Sequence, residues 1–188
     1  MNKPLALHPD RLFPPEPAVR AIARELYEPV RALPIISPHG HTDPAWFADN
    51  APFENPAALF IEPDHYVYRM LYSQGIDLDA LGVRRADGSR SDVDPRDAWR
   101  IFAQHYHLFR GTPSRMWLDW VFSTVFELSV RLSTDTAALY YDTIDTALKT
   151  DAFRPRALFD RYGIEVIATT EGALDDLAHH RALAAEDA

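Results

Sequence analysis

Residues 34–44, PIISPHGHTDP, constrain the fold most, because a run of β-forming residues there ends in two histidines separated by one glycine. Side chains alternate along a strand, so His39 and His41 would point to the same side, and Gly40 adds no bulk between them. Two neighbouring neutral imidazoles suit zinc or a similar divalent ion. The pattern predicts a strand that delivers two metal ligands, with polar loop histidines as the alternative.

A second pair of histidines with the same spacing, His105 and His107, shows that spacing alone is weak evidence. This pair lies in a stretch of helical periodicity, where positions i and i+2 are about 200° apart around the helix axis. We therefore expect these two imidazoles to diverge and not to share one ion. The strand before His39 and the turn-forming Thr-Asp-Pro at 42–44 favour the first pair instead.

Charge and composition exclude several classes of partner. The net charge is −9 and no basic block is present, which argues against nucleic acid and anionic membranes. The absence of cysteine excludes thiolate ligands, so a metal would be held by His, Asp, Glu and water. No apolar stretch approaches the ~20 residues of a membrane span, and the N-terminal residues lack the apolar core of a signal peptide. We therefore expect a soluble, cytoplasmic protein.

Apolar periodicity and turn residues predict the order of the elements. The first half is predicted to contain a helix around 19–30 that Pro29 kinks or ends, a strand at 33–37 buried on both faces, and a helix that begins at 62–64 and ends at Gly75. A loop at 83–95 and three aromatic-rich helices between 94 and 149 follow. The last third is predicted to contain a short helix at 155–162, a strand at 164–169 and a helix from about Gly172 onward. In the second aromatic-rich helix, which begins at Thr112, the predicted inward row is Met116, Trp117, Trp120, Val121 and Leu128.

The predicted strands are too few for a complete sheet. One strand lies on each side of the helical block, and two parallel strands do not form a stable sheet by themselves. The sequence also stops within an amphipathic helical pattern that has no terminating signal. We therefore expect residues 1–188 to be the N-terminal part of a longer α/β protein, with further strands after Ala188.

The motifs together resemble a known family. PIISPHGHTDP followed by PDHYVYRMLYSQGI is similar to the start of uronate isomerases, also called glucuronate isomerases, which belong to the amidohydrolase superfamily. The resemblance extends from the first helix to His180. It implies an α/β fold of the distorted TIM-barrel type, in which residues 1–188 are the N-terminal part of a single barrel domain, incomplete at the C-terminus, and 83–150 are a large helical insertion.

The resemblance also implies roles for five side chains. His39 and His41 would be metal ligands at the C-terminal mouth of the barrel, and the cofactor would be a divalent metal ion, with zinc as the expected choice. His65 and Tyr66 match the His-Tyr pair that lies at the substrate and takes part in proton transfer, so they are the expected catalytic residues. Arg69 matches the arginine of the same motif and is the candidate for substrate binding, with a purely structural role as the alternative.

Two departures separate this chain from the better-known members. The segment after the second strand is often Thr-Thr-Asp-Asp-Pro in the family, whereas here it is TTEGA at 169–173. The helical block carries TPSRMWLDW at 112–120, where other members have a segment rich in His and Tyr. These departures indicate a divergent branch and leave the preferred substrate open.

The implied reaction is the aldose–ketose isomerisation of a hexuronate, such as D-glucuronate to D-fructuronate or D-galacturonate to D-tagaturonate. The expected partner is thus a small sugar acid, with neither nucleic acid nor membrane, and a homo-oligomer is one compatible assembly. A metal-dependent hydrolase or decarboxylase of the same superfamily, a non-enzymatic helical module and an inactive paralogue are the alternatives. Because parts of the site are expected beyond Ala188, we predict that residues 1–188 alone have no isomerase activity.

Overall fold

Proline at the first helical position, preceded by a short polar side chain, begins several of the helices. The fixed φ of proline suits the first turn, and the preceding polar side chain accepts a backbone N–H that has no helical partner. Such hydrogen bonds are accepted by Asp43, Asn55, Asp94 and Thr112, which precede Pro44, Pro56, Pro95 and Pro113. The helix starts predicted at Asp94 and Thr112 are thereby confirmed.

A computed structural model describes residues 3–186, which contain nine α-helices and two β-strands. These are α1 (Pro17–Tyr27), β1 (Ile35–Ser37), α2 (Pro44–Asp49), α3 (Pro56–Phe60), α4 (His65–Tyr72), α5 (Pro95–His105), α6 (Pro113–Trp120), α7 (Ala137–Leu148), α8 (Pro155–Arg161), β2 (Ile164–Ile167) and α9 (Ala178–Glu186). Within the described range, no helix is long and apolar enough to cross a membrane.

The chain divides into two compact units. The helical unit consists of Met1–His8 and Phe53–Lys149, and the strand unit consists of Pro9–Pro52 and Thr150–Ala188. The helical unit contains α3 to α7, and the strand unit contains both strands together with α1, α2, α8 and α9.

The helical unit has a core of aromatic side chains. Its largest fully buried residues include Trp99, Phe102, Tyr106, Phe109, Phe122 and Tyr140. The Phe122 and Tyr140 rings meet edge to face with their centroids 5.1 Å apart, a favourable arrangement for two aromatic quadrupoles. The Trp99 indole N–H donates to the Ala137 carbonyl over 3.1 Å, so its polar atom is satisfied inside the core. The prediction that aromatic residues of this block form the core is confirmed for these side chains.

The inward face predicted for α6 is wrong. Met116, Trp117 and Trp120 are 44%, 37% and 36% exposed, whereas Leu118 and Phe122 are fully buried. Apolar residues occupy two faces of this segment, so periodicity does not decide between them. Contacts with the surrounding core do, because Phe122 packs against Phe60, Trp99, Tyr106 and Tyr140. Of the predicted row, Leu128 is buried and Val121 is half-buried.

The strand unit contains a short parallel sheet of β1 and β2. Ile35, Ile36 and Ser37 pair with Ile164, Val166 and Ile167, with an irregularity after the first pair. Both predicted strands exist, but the prediction that the first is buried on both faces is wrong within residues 3–186. Ile35 is 49% exposed and Ile36 is 62% exposed. A two-stranded sheet without layers on both sides cannot exclude water from its apolar side chains.

Two helix starts differ from the predictions. The helix predicted to begin at 62–64 begins at His65, and Asp64 is its N-cap, so Pro63 lies before the first turn. The helix predicted from Gly172 begins at Ala178. The Gly172 N–H instead donates to the Asp175 carboxylate over 2.6 Å, and this side-chain turn competes with helical hydrogen bonding.

Candidate functional site

The two histidines of the HGH stretch lie just after the carboxyl end of β1. Ser37 is the last residue of the strand, and His39 and His41 follow in the loop that leads to α2. Their rings lie at 81° to each other, with centroids 5.1 Å apart, and both side chains are exposed. The structure therefore brings the predicted pair together on one loop, directly beyond the strand and not within it.

The separation of the rings can be compared with the geometry of a metal site. A zinc ion ~2.1 Å from an imidazole nitrogen lies roughly 3.2 Å from the ring centre, so two rings at a tetrahedral angle have centres roughly 5 Å apart. The 5.1 Å between His39 and His41 fits that arrangement. Among residues 3–186, no group of three or more His, Cys, Asp or Glu side chains could hold a metal ion. These residues therefore offer two ligands of a site that needs more.

The end of β2 supports the HGH loop from the side. The two strands are parallel, so their carboxyl ends lie at the same edge. The Thr170 hydroxyl donates to the Gly40 carbonyl over 2.9 Å, and its oxygen lies 3.5 Å from the His39 Nδ1. A Cβ at Gly40 would lie 3.2 Å from the Ala168 carbonyl oxygen. This close approach, and not a special backbone angle, favours glycine between the histidines.

A cavity of about 600 Å³ opens beside the HGH loop within the strand unit. Polar groups dominate part of its wall, including His41, Asp43, Glu171 and His180. The His180 Nε2 lies 2.9 Å from the Thr169 hydroxyl and 3.4 Å from the Glu171 carboxylate. Asp43 also accepts the Ala45 N–H and so begins α2 at the cavity edge. The cavity can hold a polar ligand of the size of a sugar acid.

No role was predicted for Thr170 or His180 from the sequence, although both lie at this edge. A signal was present, because polar residues directly after two parallel strands meet at the same end of a sheet. The contact partners could not be deduced, since they depend on the register of β1 with β2 and on the path of the loop at 172–177.

The Asp-His-Tyr motif belongs to the helical unit. Asp64 caps α4 by accepting the Tyr66 N–H over 2.8 Å, and so places His65 and Tyr66 in the first turn of the helix. The His65 and Tyr66 rings are in contact, with centroids 4.3 Å apart, and are tilted at 34° to each other. Tyr66 is 67% exposed, whereas the next residue, Val67, is fully buried and anchors the helix. The motif thus presents a tyrosine hydroxyl on a fixed helical turn.

Arg69 lies one turn after the His-Tyr pair and is exposed. Among residues 3–186, its guanidinium has no hydrogen-bond or ion-pair partner within the protein. The predicted polar face of α4, with Tyr66, Arg69 and Ser73 exposed, is confirmed. His65, Tyr66 and Arg69 lie in the helical unit, and His39 and His41 lie in the strand unit.

The second histidine pair does not diverge as predicted. His105 is the last residue of α5, and a 3-10 turn at Tyr106–Phe109 follows, so the α-helical angle does not apply between the two residues. The rings are nearly parallel with centroids 6.4 Å apart. Each Nδ1 contacts a backbone carbonyl, that of Ile101 or Gln104.

Over residues 3–186 the chain is a mostly helical α/β protein with one short parallel sheet, and polar residues gather at the carboxyl ends of its two strands, the edge at which open α/β sheets commonly bind ligands. The sequence model of the glucuronate isomerase family matches residues 18–188, and the chain belongs to this family. The prediction of that family is thereby confirmed.

Individual relatives agree with the family assignment. A uronate isomerase from Sphingopyxis alaskensis is 64% identical over 188 residues, which are 100% of this chain and 39% of the relative. A uronate isomerase from Xanthomonas axonopodis pv. citri is 67% identical over 181 residues, 96% of this chain and 38% of the relative. The chain therefore spans less than two-fifths of the length of these relatives.

Solved structures show the same fold. The crystal structure of glucuronate isomerase from Caulobacter crescentus matches with a TM-score of 0.92 and 60% identity, over 96% of this chain and 38% of that one. A uronate isomerase structure from Thermotoga maritima matches with a TM-score of 0.79 at 24% identity, over 97% of this chain and 37% of that one, which supports the fold alone.

Proposed function

We propose that this chain is the N-terminal part of an isomerase that interconverts the aldose and ketose forms of a hexuronate. The observation that carries the proposal is the paired His39 and His41 just after β1, with ring centres 5.1 Å apart, a separation compatible with binding one ion. Membership of the glucuronate isomerase family supports the choice of reaction.

His39 and His41 are the residues that would hold a divalent ion, with zinc as the proposed metal. When bound, the ion would supply a Lewis acid that polarises the sugar oxygens at C1 and C2. The absence of cysteine limits any further ligand of this chain to His, Asp, Glu or water. Carboxylate and imidazole side chains also line the cavity beside His41.

The proton transfers of the isomerisation require side chains that can both donate and accept a proton. Isomerisation moves a proton from C2 to C1 and another from O2 to O1, through an enediol. Tyr66 is our candidate for exchanging the hydroxyl proton, because its phenol is exposed and its helix is anchored. His65 contacts the Tyr66 ring and would provide a second group that can accept or donate a proton.

Arg69 is the proposed contact for the substrate carboxylate. A guanidinium fork matches a carboxylate with two parallel hydrogen bonds. Within residues 3–186 its side chain makes no competing ion pair. One turn of helix separates it from Tyr66, so both groups would approach the sugar from the same surface of α4.

We further propose that β1 and β2 are the first strands of a distorted TIM barrel, with 83–150 as its helical insertion. The exposed apolar side chains of Ile35, Ile36 and Val166 support this, because a barrel would cover both faces of these strands. A cavity at the carboxyl ends of the two strands is also where barrel enzymes have their sites.

Incubation of the full-length protein with D-glucuronate and D-galacturonate, each separately, tests the reaction. In D2O we expect the matching 2-keto sugar acid to form with solvent deuterium at C1, measured by NMR. Release of CO2 or of a hydrolysis product instead would favour the decarboxylase or hydrolase. No turnover of either hexuronate, with divalent metal supplied, would contradict the proposal.

Tyr66→Phe tests the proton-transfer role. We expect turnover to fall about 10²- to 10⁴-fold, the usual effect of losing an acid–base group. Tyr72→Phe is the matched control, because Tyr72 is 61% exposed on the same helix and should tolerate the change. If turnover of Tyr66→Phe equals that of the control, Tyr66 has no catalytic role.

The double variant His39→Ala/His41→Ala tests metal binding. We expect bound divalent metal, measured by elemental analysis, and turnover to be lost together. Since both side chains are exposed, the metal-free variant should keep its stability within about 0.5 kcal/mol. Unchanged metal content would show that the pair does not bind the ion.

A further inference from the structure

The hydroxyl of Thr170 has a hydrogen bond to the HGH backbone and also lies within 3.5 Å of an HGH imidazole nitrogen. We propose that Thr170 is a positioning residue that fixes the tautomer of His39, with the proton on Nδ1 and the lone pair on Nε2. This inference rests on the proposed metal-binding role of His39. It assigns a function to a residue in the loop that follows β2.

The tautomer follows from counting protons. A threonine hydroxyl has one proton, and the Thr170 proton is directed to the Gly40 carbonyl 2.9 Å away. Toward His39 the oxygen can therefore only accept. At 3.5 Å the contact with Nδ1 is long, but an unprotonated Nδ1 would place two lone pairs opposite each other. The protonated Nδ1 is thus favoured, and Nε2 keeps the lone pair that a metal needs.

The contact is maintained by the backbone of the same unit. The Ala168 N–H donates to the Ser37 carbonyl over 2.9 Å and extends the pairing of the strands to the loop edge. Ala168 also lies against Gly40, so close that an added Cβ would be 3.2 Å from its carbonyl oxygen and would push the two segments slightly apart. Thr170 therefore meets the HGH loop at a constrained position, and a larger residue at Gly40 would separate the two.

Thr169 provides a matched control. Its hydroxyl lies next in the chain but contacts His180, 2.9 Å away, instead of His39. Valine at either position removes one hydroxyl and conserves the shape of the side chain. Only the change at Thr170 should alter His39, whereas Thr170→Ser keeps the hydroxyl and should rescue it.

The first measurement needs no metal. In metal-free full-length protein with 15N-labelled histidine, at a pH of ~9 where histidines are ordinarily neutral, NMR distinguishes the two tautomers of His39. We expect mainly the Nδ1–H form in the wild type, in Thr170→Ser and in Thr169→Val, and a shift toward the Nε2–H form in Thr170→Val. An unchanged tautomer in Thr170→Val overturns the inference.

The second measurement is the affinity for Zn2+, by competition with a chelator. We expect Thr170→Val to bind about 10-fold more weakly, as is usual for the loss of a group that orients a ligand. Equal affinities for the wild type and Thr170→Val, when His39→Ala abolishes binding, would contradict the inference alone. If His39→Ala also binds normally, the proposed metal site fails, and the tautomer measurement still decides the role of Thr170.

Discussion

The two units of this chain are stabilised in different ways. In the helical unit, aromatic and aliphatic side chains from five helices and the intervening turns are buried almost completely. In the strand unit, among its described residues, Pro155 alone is buried, and the apolar residues of α1 and β1 are exposed. Hydrogen bonds from side chains to the backbone connect the elements of the strand unit instead. Arg156, for example, donates to the Phe47 and Ala48 carbonyls at the end of α2.

The residues proposed for proton transfer and substrate binding lie in the unit with a buried core, and the proposed metal ligands lie in the unit without one. The unit with the core presents Tyr66 and Arg69 on a helix whose inner face is fully packed. The unit without a core holds the histidine pair through directional hydrogen bonds such as that from Thr170. Hydrogen bonds at exposed positions contribute only about 0.5–1.5 kcal/mol each. The strand unit therefore depends more on whatever covers its apolar faces.

Truncation of one isoleucine in each unit should give the largest effects, and it tests whether the two units differ in how much their apolar side chains stabilise the fold. Ile144→Ala empties a fully buried site on α7 and should destabilise the full-length protein by about 2–5 kcal/mol. Ile36→Ala removes the same atoms from β1, where 62% of the residue is exposed in residues 3–186.

The proposed barrel predicts a cost of similar size at Ile36 in the full-length protein, because its other strands and helices would cover β1. Denaturant unfolding of both variants gives the two free energies. A cost below about 0.5 kcal/mol at Ile36 would mean that the strand face stays exposed, and would argue against the barrel.

Removal of one buried hydroxyl should have an intermediate effect that depends on pH. Tyr106 donates to the Asp119 carboxylate over 2.8 Å, and Arg115 donates to the same carboxylate. Burial, and then the negative charge of Asp119, raise the pKa of Tyr106. We expect Tyr106→Phe to cost about 1–2 kcal/mol of unfolding free energy at neutral pH, since Asp119 loses a hydrogen bond.

The sign of the pH dependence follows from the raised pKa. The folded state favours the neutral phenol, so its contribution is full below the ordinary tyrosine pKa of about 10 and is lost as pH rises above it. The wild type should therefore lose stability above pH ~10 more steeply than Tyr106→Phe. Parallel curves of unfolding free energy against pH would show that Tyr106 ionises as easily in the folded state as in the unfolded state.

Loss of side-chain hydrogen bonds to the backbone in the strand unit should have the smallest effect on the free energy of unfolding. Arg156→Lys keeps the charge but cannot donate to the Phe47 and Ala48 carbonyls together in the same geometry. We expect a loss of about 0.5–1.5 kcal/mol in the thermal or chemical unfolding of the full-length protein. Arg100→Lys, at an exposed ion pair of the helical unit with Asp97, is the control and should change the stability by less than about 0.5 kcal/mol. Equal effects would show that the carbonyl contacts add nothing.

Much of the local structure was predictable because its causes are local. Proline at 95 and 113 and the caps at Asp94 and Thr112 depend on residues within one turn of each other. Gly75 has the predicted positive φ, but α4 ends earlier, at Tyr72, and Gly75 lies in the turn that follows. Both strands were predicted from their β-branched residues. The start of α9 was not, because the turn that Asp175 forms with Gly172 replaces the first helical turn.

The buried face of a helix and the contacts of its side chains were harder to predict than the positions of the helices and strands. The predicted inner face of α6 was wrong, since two apolar faces compete. Burial in the tertiary structure decides between them: Leu118 and Phe122 are fully buried, and Phe122 packs against Phe60 and Trp99. The angle between His105 and His107 was wrong as well, because the helix changes to a 3-10 turn between them.

The sequence by itself determined the identity of the candidate site: an HGH after a strand, and Asp-His-Tyr at the start of a helix, each of which depends on short-range spacing. The tertiary structure decided which residues support the histidines. Thr170 lies 130 positions from Gly40, and only the parallel register of β1 with β2 brings its hydroxyl to that loop. Spacing within one element is set by backbone geometry, whereas contact between two strand ends depends on pairing that no single segment encodes.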